Sequence, residues 1–62
     1  MNDCYLQYYE GGTWSTISRW VNANTAWKSL GDDNYNYRVV DSSGNIMIIS
    51  TKTINDLKKI KQ

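Results

Sequence analysis

The chain has 62 residues, with 7 Lys and Arg against 6 Asp and Glu for a net charge of +1, one cysteine and no histidine. A chain of this length holds one domain that buries roughly 60% of its unfolded surface, around a core rarely worth more than about 3–5 kcal/mol. The single Cys4 excludes an internal disulfide, the missing histidine removes the usual zinc ligand sets, and the near-zero charge supplies no global attraction to nucleic acid or anionic lipid, which leaves self-association as the expected support.

Cys4–Glu10 and Thr13–Val21 are β-rich runs around Gly11-Gly12, which reads as a hairpin because glycine supplies the positive φ of a two-residue loop. Setting Glu10 opposite Thr13 pairs Tyr9 with Trp14, Gln7 with Thr16 and Tyr5 with Ser18 on one face. Leu6 with Ile17 and Tyr8 with Ser15 then fall on the other. Asn22 predicts an N-cap, and Ala23, Ala26, Trp27 and Leu30 recur at amphipathic helical spacing up to a C-terminal Gly31. Asp32-Asp33-Asn34 links to a second strand pair, Tyr35–Asp41 and Asn45–Ser50, joined by a three-residue loop with Gly44 in the left-handed position. Thr53 with Asp56 has the spacing of a capping box, followed by Ile54, Leu57 and Ile60, so the chain is expected to end in a helix.

The expected fold is therefore α+β: a small ββαββα domain, one antiparallel four-stranded sheet with the helices packed on one face. The segments 4–31 and 35–62 align at an offset of about thirty residues, which suggests a ββα pseudo-repeat within the single domain. The longest apolar run, Ile46–Ile49, is far short of a membrane span, and the N-terminus lacks a basic stretch followed by an apolar one. The expectation is a cytoplasmic protein without a membrane partner.

Asp32, Asn34 and Asn36 imitate the start of a calcium loop, but Tyr37 stands where glycine is needed and Ser43 where a bidentate Glu belongs. The carboxylates Asp3, Glu10, Asp32, Asp33, Asp41 and Asp56 fall mostly at predicted turns or termini, positions from which no tuned general acid or base is expected. Cys4 has no imidazole beside it to activate a thiolate and reads as a small apolar residue. No catalytic group, metal or cofactor is expected. Lys52, Lys58, Lys59 and Lys61 form a basic cluster that suits the polar face and C-terminal end of the last helix.

The rings are the informative residues. Tyr5, Tyr9, Trp14 and Trp20 share a predicted strand face with Gln7, Thr16 and Ser18, opposite Leu6, Ile17 and Val21. Helices over the aliphatic face would leave the rings as an exposed patch of a kind that soluble monomers rarely carry without a binding purpose. Helices over the rings would make those rings the core.

The pattern Y-x-Q-Y-Y-E-G-G-x-W over Tyr5–Trp14, then A-x-x-x-L over Ala26–Leu30 and Y-R-V-V-D-x-x-G over Tyr37–Gly44, resembles short uncharacterised bacteriophage accessory proteins of ββαββ pattern. The resemblance covers most of the chain, rests on turns and strand alternation, and transfers no site residue. It implies a host-cytoplasmic protein that binds a host protein and inhibits or modulates it. The expected function is accordingly a non-enzymatic protein-binding module, a homodimer, with Tyr5, Tyr9, Trp14 and Trp20 anchoring a host or cellular protein. One alternative is binding of single-stranded nucleic acid or a nucleotide signal, with rings stacking at roughly 1–3 kcal/mol per base and phosphates on Arg19, Arg38, Lys58, Lys59 and Lys61. Another is a purely structural oligomer subunit.

Overall fold

The structure, a computed structural model, describes residues 3–60. In chain order it contains β1 (Cys4–Glu10), β2 (Thr13–Trp20), α1 (Ala23–Lys28), β3 (Tyr37–Asp41), β4 (Ile46–Ile49) and α2 (Thr51–Ile60). The strands form one antiparallel sheet in the order β2-β1-β3-β4, so the expected α+β architecture is the one observed and its free edges are β2 and β4. Gly11 and Gly12 both take positive φ, 64° and 84°, which is the backbone a two-residue hairpin loop demands.

The first hairpin starts in the predicted register, with Glu10, Tyr9, Tyr8 and Gln7 opposite Thr13, Trp14, Ser15 and Thr16. It then slips by one residue between Leu6 and Gln7, so that Leu6 pairs with Ser18, Tyr5 with Arg19 and Cys4 with Trp20. Ile17 is the extra residue of a β-bulge and remains 54% exposed. The physical reason lies in the residues beyond it. Unbroken alternation would aim Ile17 and Arg19 at the face that carries buried Cys4 and Leu6, and burying an unpaired guanidinium costs several kcal/mol. The slip delivers Trp20 to that face instead and releases Arg19 to solvent, where it lies 3.8 Å from the Asp3 carboxylate. This corrects the expected pairings of Tyr5 with Ser18 and Leu6 with Ile17.

One face of the sheet is covered by α1. Cys4, Leu6, Val39 and Ala26 are buried together, and Trp20, Ala23, Trp27, Leu30, Tyr37 and Ile48 pack around them. The Asn22 cap forms as read, its Oδ1 accepting from the Thr25 backbone N–H at 3.1 Å. The helix stops at Lys28, yet Leu30 still reaches the core. Burial raises the Cys4 thiol above its usual value, and the Asp3 carboxylate adds to the rise. Its Sγ donates to the Trp20 carbonyl at 3.2 Å.

The second helix departs from the expected placement on that same face. Ile54, Leu57 and Lys58 of α2 border a cleft with Trp14, Arg38, Ile46 and Ile49, and Arg38 lies opposite Gln7 and Ile49 on the reverse face from Val39. Since α1 already occupies the surface over Leu6 and Val39, the apolar side of α2 goes to what remains. Its start also differs: Ser50 is the cap, receiving Ile54 N–H on its carbonyl and Thr53 N–H on its hydroxyl. Thr53, expected at the cap, is fully buried and its Oγ1 accepts from the Asn36 backbone N–H at 2.9 Å. Asn36 has φ 68°, a left-handed conformation that asparagine tolerates, and its carbonyl accepts from Tyr9 N–H at 2.8 Å. One residue thereby joins β1, the start of β3 and α2. Lys61 and the side chain of Ile60 lie outside the described residues.

Two outcomes test this arrangement. Thr53→Val keeps the volume but strands the Asn36 N–H, and urea unfolding should show a loss of about 1–3 kcal/mol. In the second hairpin, Asp41 Oδ1 accepts from the backbone N–H groups of Asn45 and Ser43, both at 2.9 Å, and its carboxyl is held below its ordinary value, first by Asn45 N–H. A depressed carboxylate contributes stability that is complete above its unfolded value of about 3.9 and fades as pH falls through the lower folded value. The stability gap between the native chain and Asp41→Asn should therefore be flat above about pH 5 and close in more acid solution, as followed by thermal unfolding.

Candidate functional site

The reverse face of the sheet gathers most of the residues singled out in the sequence. Tyr9 and Trp14 form a tilted cross-strand pair with ring centroids 5.1 Å apart, a separation at which aromatic pairs attract beyond their burial. The Arg38 guanidinium carbon sits 4.2 Å from the centroid of a Trp14 ring, within cation–π range. Arg38 Nε donates to Gln7 Oε1 at 2.8 Å, and Gln7 Nε2 donates to Thr16 Oγ1 at 3.2 Å. A ladder of Thr16, Gln7 and Arg38 thus crosses β2, β1 and β3 and ends on the indole. Strand alternation builds it, because the Gly11-Gly12 turn and the unslipped part of the register put these positions on one face.

Above this ladder lies a cleft of about 240 Å³ between sheet and α2. Trp14, Ile46, Ile49, Ile54 and Leu57 give it apolar walls, and Arg38 and Lys58 are its two charged members. Burial lowers the Arg38 value, because removing water disfavours the cation, yet a guanidinium stays charged at any neutral pH. Among the described residues, no carboxylate lies within ion-pair distance of Arg38 or Lys58. A neighbouring hollow between Tyr9, Tyr35 and Asn36 on one side and Asp56, Leu57 and Lys59 on the other does carry an acid.

The four proposed anchors are not kept together. Tyr5, Tyr9 and Trp14 remain on the reverse face and are half-buried. Trp20 is on the α1 face, packed against the core, with its Nε1–H donating to Ser18 Oγ at 2.7 Å. The five cations also separate: Arg38 and Lys58 meet in the cleft, Lys59 faces the neighbouring hollow, Arg19 is exposed beside Asp3, and Lys61 lies outside the described residues. Residues that alternation alone missed are Ile17, Val21, Ile46 and Met47, all at least half exposed. Met47, like Ile17, is skipped by a register slip, here between Val39 and Val40. The signal available for Ile17 was its parity with Arg19, which set an isoleucine and a guanidinium on the same side of one strand.

Among the described residues no three Cys, Asp or Glu side chains come close enough to share a metal ion, and no helix is long and apolar enough to cross a membrane. No family model matches this chain, nor does any curated protein or solved structure compared with it.

Proposed function

We propose that this chain is a small non-enzymatic binding module that docks on a protein through the β1–β2 hairpin. The observation that carries the reading is Ile17, an isoleucine extruded by the bulge on a free edge strand and left 54% exposed. Val21, just beyond the same strand, is 71% exposed. Arg19 is the one charge on this edge strand, and on either side of it the exposed Ile17 and Val21, with the unpaired backbone groups of the edge, are open to a partner. Tyr5, Tyr9 and Trp14 flank the contact as rings that lose few rotamers on binding, while Trp20 supports the hairpin from behind. The likeness to bacteriophage accessory proteins suggests a host protein in the host cytoplasm as the target, inhibited or modulated by the contact. A second copy of the chain on the same edge would give the homodimer that a core this small invites.

Ile17→Asp separates contact from fold, because its site is already exposed. Captured host proteins should be lost and dimer mass by light scattering should halve, with the melting temperature of the dilute protein unchanged. Identical capture and identical mass for the variant would reject the hairpin edge as the contact. Capture that collapses with added salt and is replaced by bound oligonucleotide would favour phosphate recognition instead.

A further inference from the structure

The cleft under α2 shares Trp14 with the hairpin but has its own chemistry. Among the described residues its walls are one indole and four aliphatic side chains, its charges are both positive, and no acid lines it. Arg38 is held in place from two sides: Trp14 stacks on its guanidinium at 4.2 Å, and Gln7 Oε1 takes the Nε–H at 2.8 Å. Among the described residues that is the only hydrogen bond made by the Arg38 side chain, so its terminal nitrogens keep their donors. A guanidinium oriented this way presents a fork that matches a carboxylate. Burial has already removed part of its water, which makes an arriving anion the more favourable. At about 240 Å³ the space falls below the roughly 300–1,000 Å³ of pockets for drug-sized ligands, so the occupant is small.

We propose that this cleft binds a small organic carboxylate with a flat apolar body, the carboxylate between Arg38 and Lys58 and the body between Trp14 and the aliphatic side chains of α2 and β4. Charge complementarity selects the head and the indole selects the shape. A neutral or cationic analogue with the same ring loses the head contact and gains nothing.

Three probes that share one ring decide it: indole-3-acetate, indole-3-acetamide and tryptamine, titrated into the full chain labelled with ¹⁵N. Indole-3-acetate should shift the Trp14 Nε1–H and Arg38 Nε–H signals saturably, with a Kd on the order of a millimolar for so few atoms. The amide and the amine should bind at least about tenfold more weakly, in line with a charge-assisted contact. Arg38→Gln should weaken the acetate about tenfold by removing the fork. Lys58→Glu, at an exposed helix position, should weaken it without disturbing the fold and keeps the test valid should Arg38→Gln unfold. Equal affinities for the three probes, no saturation, or shifts confined to exposed lysines away from Trp14 would overturn the assignment.

Discussion

The bulge at Ile17 is the constraint on which the rest of this small structure turns. A strand has only two faces, so one inserted residue reverses the destination of everything beyond it. Here the reversal exchanges Arg19 for Trp20 on the buried side. The gain is an indole packed against Cys4 and Leu6, together with a guanidinium that stays in water. The cost is one exposed isoleucine, roughly the 1.5–3 kcal/mol that burying it would have contributed. Against the burial of an unpaired charge that exchange is favourable, and it leaves an apolar side chain standing on a free edge.

With α1 seated over Leu6 and Val39, the second helix is left the reverse face. A polar contact helps to tie it there: the Thr53 hydroxyl meets the N–H of Asn36, a residue whose left-handed backbone also binds β1 through Tyr9. The apolar side chains of α2 stand off the sheet enough to leave a cleft, floored by Trp14 and Arg38. A sheet flanked by one short helix on each side gives a 62-residue chain two thin layers instead of one thick one. That geometry is why half-buried rings are common here and fully buried ones are absent among the described residues.

The same arrangement distributes the residues of functional interest. Tyr5, Tyr9 and Trp14 stay with Gln7 and Thr16, as alternation from the Gly11-Gly12 turn required. Arg38 joins them because β3 pairs with β1, a neighbour relation between strands some thirty residues apart that no local pattern states. Lys58 enters through the placement of α2. The cationic, apolar cleft is thus assembled from three segments, each ordinary by itself.

By itself the sequence determined what depends on neighbours along the chain. The hairpin at Gly11-Gly12, the Asn22 cap, the left-handed Gly44 loop and the order ββαββα all follow from backbone preferences and short-range periodicity. Those same preferences named the α+β class correctly. Only the tertiary structure decided which face each helix covers, where β2 slips its register and that Thr53 is a buried acceptor rather than a cap. These outcomes turn on which side chains compete for one small core, a competition settled by burial and desolvation across the sheet.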